Sequence, residues 1–182
     1  MLELSDHILD ISANSIRAGA KLVEIIIDEN TRQDTLIIKI NDDGSGLKEE
    51  EIEKAKDPFY TTKKVRRVGL GLPLFIKAAE MSGGNVQVES EEGKSTKVTA
   101  KFCLSSLDRQ PIGDIVKIIV VLIAGSSDVD FYFKQRCDEK FFEFDTRLIR
   151  NELGDVSLNH PEILKYIRSV LREGIESVNS KA

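Results

Sequence analysis

Three polar side chains near the start of the chain have the spacing of one helix face and could do chemistry together. Asp6, Asp10 and Asn14 lie four residues apart in "ELSDHILDISANSIRAGA", whose apolar residues recur at helical spacing. The amide oxygen of Asn14 is a neutral, hard ligand that suits a Mg²⁺ whose charge is mostly met by phosphates. The carboxylate of Asp10, one turn earlier, could polarise a water. Taken alone, these residues are more simply explained as the solvent-exposed polar face of an amphipathic helix.

A second group, "NDDGSG", follows an apolar, strand-like run. The carboxylate of Asp42 at a strand end could accept a hydrogen bond from the exocyclic amine of adenine, whereas guanine would present a repelling carbonyl oxygen. Gly44 and Gly46 would let the backbone approach a flat base without an intervening Cβ. The simpler alternative for this motif alone is an Asp-Gly turn.

Two further motifs could hold phosphates. In "DPFYTTK", Thr62 and Lys63 could close over an anion, although a solvated loop is the simpler alternative. In "GLGL", the residues Gly69, Leu70, Gly71 and Leu72 expose backbone N–H groups directly before a predicted helix, and this arrangement favours negative charge. The spacing is that of neither a P-loop nor a dinucleotide fingerprint.

The surrounding patterns predict the elements that position these motifs. "LVEIIID" and "TLIIKIN" predict a hairpin, and "LKEEEIEKAK" predicts a short solvated helix. "DPFYTTKKVRRV" has no clear period and predicts an exposed loop. A helix is expected from near Leu72 to Gly83, and "NVQVES" with "STKVTAKFCL" predicts a second hairpin.

The pattern changes near Asp108, where proline, glycine and serine cluster. We therefore predict two units, residues 1–107 and residues 108–182, the second a small α+β module of unknown role. In it, "IVKIIVVLIAG" predicts a helix and "VDFYFKQRCDEKFFEFD" a hairpin turning at Cys137 to Lys140. Two helices follow, with Asp145 capping the first and Pro161 just inside the second.

Composition excludes several classes of protein. With 182 residues and a net charge of −5, the chain is not expected to bind nucleic acid. Its most apolar run contains Lys117 and is too short to span a bilayer. Two cysteines are too few for a disulfide framework or a zinc site. The start carries no basic leader, so we expect a cytoplasmic protein.

Taken in order, the four motifs resemble those of the GHKL (Bergerat-fold) ATPase superfamily, which includes gyrase, the heat-shock chaperone, histidine kinases and MutL-type repair proteins. "DISANSIRAGA" resembles the N box, "DDGSG" the first glycine box, "DPFYTTK" the phenylalanine box and "GLGLPL" the second glycine box. From "DPFYTTK" to "TAKF" the resemblance to sensor histidine kinases is nearly continuous. The resemblance implies a two-layer α/β sandwich, with a mixed, mostly antiparallel sheet and helices on one face, followed here by the C-terminal α+β module.

The resemblance also implies ATP and Mg²⁺ as ligands and a role for each motif residue. Asn14 would bind Mg²⁺, and Asp42 would bind adenine with help from Thr96. Asp10 stands where hydrolytic members carry a glutamate, so it would be the general base. The remaining implied contacts are Gly44 and Gly46 at the base, Thr62 and Lys63 in the lid, and Gly69, Leu70, Gly71 and Leu72 at the phosphates.

Departures from the family pattern leave the reaction open. Aspartate at position 10 is shorter than glutamate, and Arg67 and Ser95 stand where glycines are usual. We expect no dimerisation hairpin with a phosphoacceptor histidine before the N box, and His7 and His160 are expected to be structural. We therefore expect a kinase or ATPase whose protein phosphoacceptor is separate. The alternative is an ATP-sensing regulatory subunit without turnover, whose lid controls docking to a partner. The oligomeric state is left open.

Overall fold

The computed structural model describes residues 2–56, 71–154 and 156–178. Alternating and helical hydrophobic patterns produce helices and strands in the order that the sequence predicts. In chain order these are α1 (Leu4–Arg17), β1 (Leu22–Asn30), β2 (Thr35–Asp42), α2 (Glu49–Lys56), α3 (Gly71–Met81), β3 (Asn85–Glu91), β4 (Ser95–Cys103), α4 (Ile115–Gly125), β5 (Asp130–Cys137), β6 (Lys140–Asp145), α5 (Thr146–Leu153) and α6 (Pro161–Val178). The predicted loop "DPFYTTKKVRRV" lies outside the described residues.

The strands form one six-stranded sheet in the order β3-β4-β2-β1-β5-β6. Four of its ladders are antiparallel, and β1 and β5 pair in parallel. The mixed, mostly antiparallel sheet of the sequence prediction is therefore confirmed. Strands β5 and β6 continue the sheet across position 108, so the second predicted unit shares the sheet of the first. The division into two units stays a prediction.

One face of the sheet carries the core because β-branched residues alternate with polar ones along the strands. On β1, Val23, Ile25 and Ile27 are buried, and the intervening side chains are half-buried on the other face. The register places Ile25 opposite Ile40 of β2, which is also buried. The apolar positions of neighbouring strands therefore form continuous rows against the helices.

The helix layer packs on this buried face. Helix α1 contacts α3 and α4, and α4 contacts α6, while α1, α3 and α6 also contact strands. Their apolar faces bury residues such as Ile8, Phe75, Ile119 and Leu171 almost completely. The two-layer α/β sandwich is thus confirmed. Within the described ranges, none of the helices is both long and apolar enough to cross a membrane.

Helix α5 is fixed to β5 by a buried hydroxyl. Thr146 is fully buried, and its Oγ1 accepts a hydrogen bond from the Phe131 N–H at 2.8 Å and donates to Asp130 at 3.0 Å. The Arg150 guanidinium contacts the same Asp130 carboxylate at 3.1 Å. Asp145 caps the helix as predicted, because its side chain accepts from the Arg147 N–H at 2.9 Å.

We predict that Thr146→Val destabilises the protein by about 1–3 kcal/mol, because the isosteric change removes the acceptor of the buried Phe131 N–H. Thr99→Val is the matched control. Thr99 lies half-buried on the open face of β4, where valine suits a strand equally well. Urea unfolding followed by circular dichroism measures both variants, and equal loss of stability in the two would contradict this account of the α5 contact.

Candidate functional site

Helix α1 carries two of the predicted site residues. Asp10 is half-buried and Asn14 is exposed, while the apolar side of the helix, including Ile8 and Ile11, lies in the core. The Asn14 Oδ1 accepts a hydrogen bond from the guanidinium of Arg17, one turn later. The predicted magnesium ligand is therefore accessible and lies beside a cation that the sequence analysis did not select.

Asp42 ends β2 as a buried carboxylate with its own set of donors. The Ser15 hydroxyl donates to Asp42 Oδ2 at 2.6 Å, and the Gly44 N–H donates to Asp42 Oδ1 at 3.0 Å. A carboxylate oxygen can accept two hydrogen bonds, so each oxygen keeps capacity for a further donor. Asp42 is thus both held in place and able to accept a hydrogen bond from a ligand.

The neighbouring acid, Asp43, joins the end of β2 to the start of β1. Its Oδ1 accepts hydrogen bonds from the N–H groups of Lys21 and Leu22 at 2.7 and 2.9 Å. These bonds fasten the end of β2 to the start of β1. Of the two consecutive aspartates, Asp43 is exposed and accepts hydrogen bonds from backbone N–H groups. Asp42 instead lies on the helix-facing side of the sheet.

Strand register places Thr96 directly beside Asp42. Thr96 pairs with Asp42 across β2 and β4, and Ser90 pairs with Thr96 across β3 and β4. The Ser90 and Thr96 hydroxyl oxygens are 3.0 Å apart, and the Leu47 N–H donates to Ser90 Oγ at 2.8 Å. A row of three oxygen-bearing side chains therefore crosses the end of the sheet on the face toward the helices.

The loop after β2 is fixed from both sides. Ser45 donates its N–H to the Ala18 carbonyl at 2.9 Å, and the Gly93 N–H donates to the Ser45 carbonyl at 2.7 Å. Gly46 has φ +62°, and a Cβ there would lie 2.1 Å from the Glu91 carbonyl oxygen. Only glycine fits this position, so the loop lies close against the β3–β4 hairpin next to Thr96.

The start of α3 lies against Asp10. A Cβ on Gly71 would lie 1.7 Å from Asp10 Oδ2, so the carboxylate occupies the space that any larger residue would need. Gly71 and Leu72 open the helix, where backbone N–H groups lack partners within the helix. The predicted residues Thr62, Lys63, Gly69 and Leu70 lie outside the described residues.

These contacts arrange the described residues in two groups joined by α1. One group, at the sheet end, consists of Asp42, Gly44, Gly46 and Thr96. The other, at the start of α3, consists of Asp10, Gly71 and Leu72, and Asn14 lies one helical turn after Asp10 on α1. Ser15 contacts the first group and Asp10 the second, and five residues of helix separate them by about 7.5 Å. In the described ranges, no cluster of three or more histidine, cysteine or acidic residues could hold a metal by itself.

A profile of the histidine kinase-, DNA gyrase B-, and HSP90-like ATPase family matches residues 2–106, which is more than half of the chain. The chain belongs to this family. The match contains every predicted site residue and ends before α4. The family assignment confirms the GHKL resemblance and supports ATP binding in a kinase-like site.

Several relatives of this ATPase domain are bacterial kinases. Sporulation kinase E of Bacillus subtilis (strain 168) is 45% identical over 64 residues, which cover 35% of this chain and 8% of that protein. Sporulation kinase C of the same organism is 30% identical over 52% of this chain and 22% of its own length. Its sensor histidine kinase WalK is 34% identical over 42% of this chain and 13% of its own length. The matched segment thus spans less than a quarter of each relative.

Ser15, Ser90 and Arg17 are polar neighbours of the ATPase motifs that the sequence analysis did not select. Ser15 directly follows Asn14, so its position was visible, but its contact with Asp42 joins residues 27 positions apart. Ser90 could have been found by extending the predicted β3–β4 hairpin register back from its turn. The Arg17 contact with Asn14 follows from i, i+3 spacing on a helix.

We predict that Ser15→Ala lowers the affinity for ATP about threefold to tenfold and costs about 1–2 kcal/mol of stability, because a donor to a buried carboxylate is lost. Ser12→Ala is the matched control on the same helix. Ser12 is fully buried, and its hydroxyl has no hydrogen-bond partner among the described residues, so its loss should be neutral or stabilising. Calorimetric titration and urea unfolding compare the two, and identical behaviour would contradict the proposed support of Asp42.

Proposed function

We propose that the protein binds Mg-ATP between α1, the end of β2, the start of β4 and the start of α3, and hydrolyses it or transfers its γ-phosphate to a separate protein in signalling or regulation. The observation that carries this proposal is the Asp42 carboxylate. It is buried, fixed by Ser15 and Gly44, beside Thr96, and has acceptor capacity to spare.

The base would be recognised by charge and hydrogen-bond polarity. Asp42 offers only acceptors when ionised, so it pairs with the amine of adenine and repels the carbonyl of guanine. The Thr96 hydroxyl, which can donate or accept, would complete the recognition of the ring. Gly44 leaves this site open, since a Cβ there would lie 2.9 Å from Asp42 Oδ1.

The phosphates would lie at the start of α3. The N–H groups of Gly71 and Leu72 have no partner within the helix, and these groups and the helix dipole attract anions at that end of the helix. Gly69, Leu70, Thr62 and Lys63 would add amides, a hydroxyl and a positive charge, as the family resemblance implies. This assignment orients the nucleotide along α1, with the base near Ser15 and the phosphate tail near Asp10.

Asn14 is the side chain that would hold Mg²⁺. Its Oδ1 is a hard, neutral oxygen at an exposed position, and it already accepts from a cation, Arg17. A single protein oxygen suits an ion that retains waters and takes its remaining ligands from phosphates. The ion would neutralise charge on the phosphate tail during phosphoryl transfer.

Asp10 is the proposed general base. In hydrolysis, a water oxygen would bond to the γ-phosphorus, the bond from that phosphorus to the bridging oxygen would break, and Asp10 would accept the water proton. The products would be ADP and phosphate. In transfer, a side chain of a separate protein would replace the water as nucleophile.

The similarity to proteins named sporulation kinase and sensor histidine kinase supports a kinase role and a protein partner. We place the protein in the cytoplasm, where ATP is available and where the thiols of Cys103 and Cys137 stay reduced.

We predict that Asp42→Asn weakens ATP binding at least about tenfold, because an amide presents a donor to the adenine amine and loses the negative charge. Asp43→Asn is the adjacent control, since an amide oxygen still accepts from Lys21 and Leu22. Calorimetric titrations with and without Mg²⁺ measure both variants, and removal of Mg²⁺ should weaken binding by the native protein. Equal affinities of Asp42→Asn and the native protein would overturn the site assignment.

We predict that Asp10→Asn lowers turnover by about 10²-fold or more while ATP still binds, because general-base catalysis is lost. Asp108→Asn, an exposed acid after β4, is the control. Release or transfer of γ-labelled phosphate is the measurement. If native protein and Asp10→Asn both bind ATP without turnover, the chain is instead a sensing subunit, for which partner affinity must differ between the ATP and ADP states.

A further inference from the structure

His7 lies at the junction of three segments although it belongs to none of the ATPase motifs. It is on α1, its side chain is 1% exposed, and it lies one turn before Asp10. Its ring stacks on Phe75 of α3 with centroids 5.2 Å apart. On another side, His7 Nε2 is 3.1 Å from Gln110 Oε1. The imidazole therefore touches α3 and the chain that leads toward α4.

The Phe75 contact connects His7 to α3, whose start is the proposed phosphate end of the site. Phe75 lies one helical turn after Gly71, so the two residues share a side of α3. The Gly71 backbone is also close enough to His7 to act on the ring's pKa, although Nδ1 has no partner at normal hydrogen-bond geometry among the described residues. His7 and Asp10 together thus fix the first turn of α3 against α1.

The Gln110 contact leads to the C-terminal part of the chain. Residues 104–114, which we call the connector, join β4 to α4. Within it, the Arg109 side chain donates to the carbonyls of Leu104 and Gln110, each at 3.0 Å. The connector therefore has a defined conformation at the point where it meets His7.

The connector also caps α1. The first N–H groups of a helix need acceptors outside the helix, and Glu3 at the N-cap makes no side-chain cap. The N–H groups of Leu4 and Ser5 donate instead to the carbonyls of Pro111 and Ile112, at 2.9 and 2.8 Å. The connector thus supplies the acceptors for the first N–H groups of α1, the helix that carries Asp10 and Asn14.

Burial lowers the pKa of His7 below its ordinary value, because an apolar environment disfavours the imidazolium, and the Gln110 hydrogen bond only partly opposes this. At neutral pH the ring is neutral and pairs with Gln110 through one nitrogen. The contact is therefore a polar link inside the core rather than an ion pair.

We propose that His7 is a positioning residue of the ATP site, which ties the connector at Gln110 to the first turn of α3 and so sets where Gly71 and Leu72 present their amides. The inference rests on the proposed function, because those amides are assigned to the phosphates. It gives the C-terminal part of the chain a direct physical route to the phosphate end of the nucleotide, without passing through the base site at Asp42.

The test compares ATP with AMP, which shares the base but lacks the β- and γ-phosphates. The full chain is titrated calorimetrically with each nucleotide in the presence of Mg²⁺. Gln110→Ala removes the partner of His7, His7→Phe keeps a stacked ring and removes both nitrogens, and the double variant carries both changes. Gln33→Ala, an exposed glutamine in the β1–β2 turn, is the control.

We expect Gln110→Ala to lower ATP affinity about threefold to tenfold, the effect of losing one hydrogen bond, while AMP affinity and Gln33→Ala stay at native values. His7→Phe should show the same selectivity, and the double variant should lose no more than His7→Phe, because the two side chains act through one contact.

Equal losses of ATP and AMP affinity, native ATP affinity in Gln110→Ala, or additive losses in the double variant would each overturn the inference. If His7→Phe does not fold, the ratio of ATP to AMP affinity of the Gln110→Ala variant alone tests the inference. These outcomes leave the proposed function intact. Absence of ATP binding by the native protein would overturn the proposed function and this inference together.

Discussion

Burying a carboxylate takes a charged group out of water, and a fold tolerates this only where hydrogen-bond donors take the place of the lost solvent. At Asp42 the donors are a hydroxyl from α1 and a backbone N–H from the loop that follows β2. Both donors hold the carboxylate at the sheet end. The same two bonds therefore lock α1 and the glycine-containing loop around the place assigned to the base.

Helix α1 is the element through which the rest of the site is arranged. Along a little more than two turns it contacts the connector and α3 through His7, the start of α3 through Asp10, and the sheet through Ser15. Its polar residues divide between contacts that hold the fold and groups left accessible for a ligand. A rigid helix keeps these distances constant, which a loop carrying the same residues would not.

Local patterns predicted most elements because their causes are local. Alternating β-branched residues predict β1 and β2, and Asp145 and Pro161 mark helix starts by their own chemistry. The order of strands was not predictable in this way. Ile25 of β1 pairs with Phe133 of β5, more than a hundred residues later. The residue pattern of neither strand identifies the strand with which it pairs.

The sequence predicts the site to the level of motifs, and "DDGSG" and "GLGL" fall in the matched family segment, while the role of each site residue stays a prediction. The supporting contacts were not predicted, because they depend on how close two elements approach. Helical spacing placed Asp10 and Asn14 on one face, but it could not show that Asp10 abuts Gly71 of another helix. His7 was expected to be structural, and its burial agrees with that expectation.

Strand β1 is hydrogen-bonded along both of its sides, to β2 on one and to β5 on the other. A fragment ending at residue 107 would keep the whole family match and lose β5. Between Leu22 and Glu29 of β1, every second residue would then offer an unpaired amide and carbonyl to solvent. An exposed strand edge of this kind is a template for pairing with another chain. The C-terminal residues thus cover an edge of β1 that the family segment alone would leave open.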